Sequence, residues 1–539
     1  MKTIYRILAG SLYILCAATI SFILYLNGTF SAFMPLTYAE QVQFQTNTLL
    51  FHVIFAVSCV LIIGVAFLIY RDHTGFMAQY GLWIIFLVGT LIYLGAGLYL
   101  IFKIPVKLRA DADVMYNIAL QFRNGDYSSL VISKAKGTAS YSGGYLAKNP
   151  HQIGLAILLT LLVKIVPDVH FIFLVNLALI LLNNLLILLI TDTLFHHEKR
   201  TVFIAVLLTF LMLPHLFLCI FCYGIIPGLT ALLLSFLALS RFERNGNVWH
   251  AVAGIAFAVL AVSIRNNYMI GVIAEIILTL LIFIRSYSES SNYKGHIRYL
   301  VTALVLIPAL FVPNIALKAG IQQYSGVKID SEVPKSAWIA MGLSESPTKT
   351  EGWYNGYVYN TFINTGYNTK ATDEKSRALI AERLTLMKND PDYAYTFFMR
   401  KLTSTWTEPT FESVWIGPLE DDAQAIQSPI IRDIYTGGNS YKIMNLICGI
   451  AIRLLAAGCI LFLLRALIRF IKELTGSNGS HLQYTYTIFP LLFLLGGFLF
   501  HLFWETKSLY VFCFVYMLLP VAAAGLSFGD GQSNKRKYT

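Results

Sequence analysis

Two carboxylates stand one residue apart in the stretch Arg109-Ala110-Asp111-Ala112-Asp113-Val114-Met115-Tyr116, just beyond a long apolar run over 82–102. Ionisable groups at the edge of a bilayer are costly and mark functional sites by default. An aspartate there can take a proton from an acceptor hydroxyl. Asp111-Ala112-Asp113 also has the look of a clamp for a divalent cation, which would take oxygen ligands. Two carboxylates alone do not establish such an ion. Residues two apart on a helix do not share a face. One of the pair is therefore expected to face the reacting group, while the other caps the following helix or binds a cation. Asp113 suits an N-cap for a helix over 114–122. The plain alternative is that both are solvated loop acids.

Cations and aromatic residues complete the set. Arg265 lies in Ser263-Ile264-Arg265-Asn266-Asn267-Tyr268, which interrupts two apolar spans. A guanidinium there can grip a phosphate in a fork; the competing reading is a turn with a snorkelling arginine. The turn His501-Leu502-Phe503-Trp504-Glu505-Thr506-Lys507-Ser508-Leu509-Tyr510 precedes the last span. Glu505 and Lys507 either neutralise each other as a rim pair, or Lys507 meets phosphate with Tyr510 beside it. In Tyr145-Leu146-Ala147-Lys148-Asn149-Pro150-His151-Gln152, Pro150 favours an extended Asn149 and then a helix start. A lone histidine such as His151 is more often a polar interface residue than a metal ligand. Lys103, Lys107, Arg109, Lys134, Lys136 and Lys148 make this loop basic, which suits an anionic ligand.

The elements that must position these residues are membrane helices. Of 539 residues, 57% are hydrophobic and 13% charged, against about 25% charged in soluble domains. Apolar runs of roughly 17–25 residues recur, and the expected fold is an all-α polytopic membrane protein with about twelve transmembrane helices. Their approximate limits are 7–26, 50–70, 82–102, 170–194, 201–219, 223–240, 248–264, 269–284, 299–318, 443–465, 484–502 and 509–527. The first resembles a signal anchor with no clear cleavage site after it.

Charge decides orientation. With both termini in the cytoplasm, Arg71, His196 to Arg200, Arg241, Arg244, Arg285 to Arg298, Arg465 to Lys472 and the tail Lys535-Arg536-Lys537 all fall inside, as the positive-inside rule requires. The net charge of +11 then reflects orientation and does not call for nucleic acid as a partner. The stretch 151–167 breaks this pattern if it crosses, so it is expected to be an interfacial or re-entrant helix. The seven cysteines all lie in apolar spans and suggest no disulfide framework. Cys219 and Cys222 form a CxxC without a second ligand pair, which reads as packing.

Three regions follow: an N-terminal transmembrane module, 1–318, carrying the outer loop 103–169; an outer domain, 319–441, of α or α+β type; and C-terminal helices with a cytoplasmic tail, 442–539. Within 319–441 a helix is expected over 372–388, with Trp338, Trp353, Trp406 and Trp415 nearby. An outward-facing site cannot draw on cytoplasmic nucleotides, and the chain has no phosphate-binding glycine loop. A transferase placed there needs a donor that arrives through the membrane, such as a lipid-linked sugar phosphate. Lipid phosphate is already a fair leaving group, so one base and cations for the phosphate suffice.

The pieces resemble the GT-C membrane glycosyltransferases, in particular bacterial relatives of the protein mannosyltransferases and aminoarabinose transferases. The resemblance is carried by Asp111…Tyr116…Ala119 with Gly125-Asp126-Tyr127, by Asn149-Pro150-His151-Gln152-Ile153-Gly154, by Arg265-Asn266-Asn267 and by Glu505-Thr506-Lys507-Ser508-Leu509-Tyr510. The usual Asp-Glu pair is Asp-Ala-Asp here, so the base is Asp111 or Asp113, with Asp111 favoured by its spacing to Tyr116. Leu509 stands where many relatives carry Arg, leaving Lys507 as the local cation.

The resemblance implies transfer of a sugar from a polyprenyl-phosphate donor in a bacterial plasma membrane, with inversion at the sugar carbon. The acceptor would be an extracytoplasmic wall polysaccharide, a teichoic acid or a protein. Asp111 would be the base, and Arg265 would hold the donor phosphate with help from Lys148 or Lys507. Tyr116, Tyr145, His151, Gln152, Asn266, Glu505 and Tyr510 would line the substrate cavity, with 319–441 covering it. A divalent cation, if used, would sit at Asp111 and Asp113. The competing classes are a flippase or transporter for lipid-linked saccharides, and a polysaccharide polymerase or ligase.

Overall fold

Apolar runs in a bilayer must satisfy every backbone polar group internally, so they fold as helices. The computed structural model describes residues 2–71, 75–105, 107–132, 144–289, 293–474 and 486–527. Lys134, Lys136, Lys535, Arg536 and Lys537 lie outside these. Among the described residues, 9 helices are long and apolar enough to cross a membrane, or up to 11 if each of two bent pairs is one span. The chain is an all-α, multi-pass membrane protein. Its strands among the described residues are a short antiparallel pair, Phe30–Phe33 with Gln43–Thr46, between the first two helices.

Each expected span corresponds to a helix, with four differences, one being that 299–318 covers the end of Tyr293–Ala309 and the start of Val312–Ser325. The stretch 201–219 is broken into Lys199–Leu211 and Leu213–Ile220, bent by 54°, and 509–527 into Ser508–Tyr516 and Leu519–Ser527, bent by 51°. A proline follows each break, Pro214 and Pro520, and proline removes a backbone donor and crowds the preceding turn. At the first break the Tyr93 hydroxyl lies 3.2 Å from the Phe210 carbonyl, freed by Pro214, and from the Met212 carbonyl, which also accepts from the His215 N–H at 3.0 Å. The expected span 248–264 is the 17-residue helix Val248–Ile264. It is about 26 Å long at 1.5 Å per residue, slightly short of a hydrocarbon core of about 30 Å.

The apolar stretch after Pro150 begins as a 3-10 turn, Pro150–Gln152, and continues as the 13-residue helix Ile153–Ile165. With the turn it forms one apolar helix of 16 residues, Pro150–Ile165, one residue shorter than Val248–Ile264. It packs so closely on the Val248–Ile264 helix that a Cβ added at Gly154 would stand 1.8 Å from the Ser263 carbonyl oxygen.

The region 319–441 is helical. It contains Lys335–Gly342, Tyr357–Asn364, Thr369–Asn389, Pro391–Thr407, Glu420–Gln424 and Pro429–Tyr435. The expected helix over 372–388 falls within Thr369–Asn389, which Asn368 caps by accepting from the Ala371 N–H at 3.0 Å. A small core of Val333, Ala337, Met341, Val358, Tyr359 and Phe362 holds it together. Trp353 and Trp406 are buried, and the Trp353 indole donates to Ser404 Oγ at 2.9 Å.

This region closes one end of the bundle. Arg109 donates to the carbonyls of Trp415 and Gly417, Lys107 pairs with Asp422 at 3.1 Å, and Lys349 pairs with Glu40 at 3.6 Å. Other basic residues meet at different helix ends. Arg200 donates to the Ser527 carbonyl at 3.2 Å, Arg244 meets His197 at 3.3 Å, and Arg465 donates to the Gly525 carbonyl at 2.8 Å.

Candidate active site at one end of the bundle

The helix that carries the two aspartates is Ala110–Arg123. Asp113 does not cap it: the cap position is Arg109, whose side chain makes no capping bond. The chain turns into the helix at Ala110, which has φ +48, a left-handed conformation that costs a non-glycine residue roughly 1–2 kcal/mol. Arg109 holds that turn in place, stacked 4.6 Å over the Trp415 ring and 5.6 Å over Tyr38.

Both aspartates therefore sit in the first helical turn, facing different ways. Asp111 is half-buried, and its Oδ1 accepts from the Tyr145 hydroxyl at 3.1 Å. Asp113 is exposed and accepts from the Asn117 amide at 3.0 Å. The two carboxylates diverge, so they do not form a clamp on one ion. No group of three or more His, Cys, Asp or Glu suited to a metal occurs among the described residues.

Arg265 reaches the Asp111 group through Tyr223. Its Nη1 donates to the Tyr223 carbonyl at 3.3 Å, and its guanidinium lies 5.0 Å from the Tyr223 ring and 5.4 Å from the Tyr510 ring. Gln152, which is buried, donates to the Tyr223 hydroxyl at 2.6 Å. Burial and the nearby Asp111 carboxylate raise the Tyr223 phenol above its usual value, while Arg265 opposes them. Tyr223 thus feels both the candidate base and the candidate phosphate ligand. Gly224 has φ +57 and turns the chain from Tyr223 directly into the Ile225–Asn245 helix.

His151 lies within electrostatic reach of Asp111 and Arg265. Tyr510 donates to Glu505 Oε1 at 3.4 Å. Burial pushes the Glu505 carboxyl up to about 7; Lys507 opposes this, and Asp111 and Glu40 add to it. Lys148 is buried with its ammonium 5.4 Å from the Tyr359 ring, and burial pushes it down to about 8. The neighbouring Asn149 donates to the Tyr359 hydroxyl at 2.9 Å.

Other candidates are placed elsewhere. The Tyr116 phenol reaches Asp168 and the backbone of Val169. Asn266 accepts from Asn314 at 2.8 Å and ties its turn to the Val312–Ser325 helix. Lys507 does not form the expected pair with Glu505 alone. It is ion-paired to Glu40. Burial works against its ammonium, but Glu40, Glu412 and Glu505 together hold its pKa above the usual value. The ion pair with Glu40 already engages the Lys507 ammonium before any phosphate arrives.

Sequence reasoning missed Tyr223, Glu40, Glu408, Glu412 and Lys401. Glu408 is buried and accepts from the backbone of Thr410 and Glu412 and from the Ser508 hydroxyl at 2.8 Å. Lys401 is fully buried and donates to the carbonyls of Gly342, Leu502 and Trp504 at 2.6, 3.0 and 2.9 Å. Tyr223 carried one usable signal, since it is the first residue of the expected span 223–240, at the same end as Arg265.

Searches against family models, curated proteins and solved structures return no match.

Proposed function

We propose that this protein is an integral-membrane glycosyltransferase, which moves a sugar from a polyprenyl-phosphate donor to an acceptor outside the cytoplasm. The observation that carries this reading is the meeting of Asp111 and Arg265 around Tyr223. They are far apart in sequence, and the fold gives them one neighbour at one end of a membrane bundle.

The chemistry needs little more. Asp111 takes the proton of an acceptor hydroxyl as that oxygen attacks the sugar carbon. The bond from that carbon to the phosphate oxygen breaks, and the configuration inverts. The departing lipid phosphate keeps the electron pair, and the Arg265 fork stabilises its charge. Tyr145, donating to Asp111, holds the carboxylate in one orientation. Asp113 faces solvent and takes no part. A sugar, rather than another group, is the inference from the resemblance, and the acceptor is a wall glycan, a teichoic acid or a protein.

The test is sugar transfer by the purified full-length protein, using a panel of polyprenyl-phosphate sugars. General-base catalysis is worth about 10²–10⁴ in rate, so Asp111→Asn should lose at least that order of activity. Asp113→Asn should stay near wild type. Transfer undiminished in Asp111→Asn would rule out Asp111 as the base. Movement of intact lipid-linked saccharide across vesicles, without transfer, would favour a flippase instead.

A further inference from the structure

We infer that Arg453 is a binding site for a phosphate-bearing anion, separate from the Asp111 group. Arg453 lies within the long Asn439–Leu474 helix and is only 2% exposed. A guanidinium stays charged in proteins, and a buried charge is normally paired. Among the described residues the contacts of Arg453 are all to neutral groups. Its Nη1 donates to the Gly449 carbonyl one turn back at 3.0 Å. Its Nη2 reaches the Phe30 carbonyl and Ser31 Oγ only at 3.5 Å. Among the described residues its Nε has no hydrogen-bond partner.

Lys401 and Lys507 show how this fold otherwise treats a buried cation. The first has three carbonyls within 3.0 Å and the second is ringed by carboxylates. Arg453 has neither arrangement. Its main compensation is the Phe51 ring, 3.8 Å from the guanidinium carbon. A cation–π contact offsets part of the burial cost but leaves Nε without an acceptor among the described residues. The planar fork matches phosphate geometry, and each unsatisfied buried donor calls for an explanation.

The surroundings fit a headgroup. Phe30 and Ser31 follow the first helix, and Phe51 stands near the start of the Leu49–Arg71 helix. Ser31 donates to Asn47 Oδ1 at 2.6 Å, and Asn47 donates to the Asn27 carbonyl at 2.8 Å, so a polar seam joins the two helix ends. The Leu49–Arg71 helix is only 11% buried. Its exposed Leu50, Val53, Val57, Val60 and Leu61 offer a track for an acyl chain below a phosphate at Arg453. None of these residues belongs to the group around Asp111 and Arg265. A lipid headgroup and free phosphate share this chemistry.

The test uses the full-length protein reconstituted in vesicles. One set is phosphatidylcholine alone, a second is equal parts phosphatidylcholine and phosphatidylglycerol, and a third is phosphatidylcholine with inorganic phosphate in the buffer. Thermal unfolding is followed in each, and anion affinity is taken from the titrations. A ligand bound only by the folded state raises the unfolding temperature. The wild type should be stabilised by phosphatidylglycerol or by phosphate, and the responding arm identifies the source. Arg453→Gln should weaken that binding by about tenfold or more, the loss of one charge-assisted contact. Phe51→Ala keeps the arginine and uncovers it, so its response should match or exceed the wild type; this variant serves if Arg453→Gln does not fold. No response in either arm, or an undiminished response in Arg453→Gln, overturns the proposal.

Discussion

At the scale of single residues, the group around Asp111 is arranged by charge as much as by contact. Glu505 shows this best. It is buried beside Lys507, Asp111 and Glu40, and its carboxyl is pushed from 4.5 up to about 7. The folded protein therefore keeps a proton on Glu505 over a range in which the unfolded chain has released it. Stability falls with rising pH wherever the folded state binds more protons, so this residue destabilises the fold as pH rises from about 4.5 to about 7. Glu505→Gln is neutral throughout and should flatten that part of the stability profile. Unfolding temperatures measured across the window in detergent would check it, and an unchanged slope would exclude Glu505 as the source. Asp111, Arg265 and Glu505 were legible in the sequence because a charge next to an apolar run is conspicuous. The partners that set their behaviour were not. Glu40 lies in the first connection, and only the folded chain brings it to Lys507; Tyr145 is among the expected cavity residues, but its bond to Asp111 comes from the fold. In the sequence only the spacing to Tyr116 sets Asp111 ahead of Asp113; the helix start at Ala110 turns the two in different directions.

At the scale of elements, the site depends on how closely helices approach. The spans were legible from hydropathy, since backbone satisfaction in lipid leaves few other structures. The bends after Leu211 and after Tyr516 were less so. Pro214 and Pro520 were visible, but the hydroxyl of Tyr93 that accommodates the first break comes from a distant span. The contact between the Ile153–Ile165 and Val248–Ile264 helices matters most for the chemistry. The first follows His151 and Gln152, and the second leads into Arg265. Gly154 lets their backbones touch, and an added Cβ would fall 1.8 Å from the Ser263 carbonyl. Gly154→Ala must push the helices apart, with an overpacking cost of about 1–3 kcal/mol. It should lower the unfolding temperature and reduce sugar transfer together. Gly95, with nothing within 4 Å of an added Cβ, is the control, and Gly95→Ala should behave as wild type. Equal effects at the two positions would show that close approach is not what Gly154 provides.

At the scale of the whole molecule, the region 319–441 locks the end of the bundle that carries the candidate site. Lys401 pins the turn before the last broken span, Glu408 and Glu412 hold Ser508, and Arg109 and Lys107 tie the Asp111 helix to Trp415, Gly417 and Asp422. Glu40 and Glu412 both adopt positive φ, 49 and 55, a strain that persists only where surrounding structure over-determines it. The arginines at other helix ends, Arg200, Arg244 and Arg465, bind carbonyls or a histidine there. If basic connections face the cytoplasm, the locked end faces out, where a lipid-linked donor is available and nucleotides are not. Cysteine labelling decides this directly. Six of the seven native cysteines are buried and Cys59 is half-buried, so background reaction with a membrane-impermeant maleimide should be low. Lys370 and Lys199 are both exposed, the first in the 319–441 region and the second in a basic connection. Lys370→Cys should be labelled in intact cells and Lys199→Cys only after permeabilisation. The reverse pattern would turn Asp111 toward the cytoplasm, and a polyprenyl-phosphate donor would lose its main rationale.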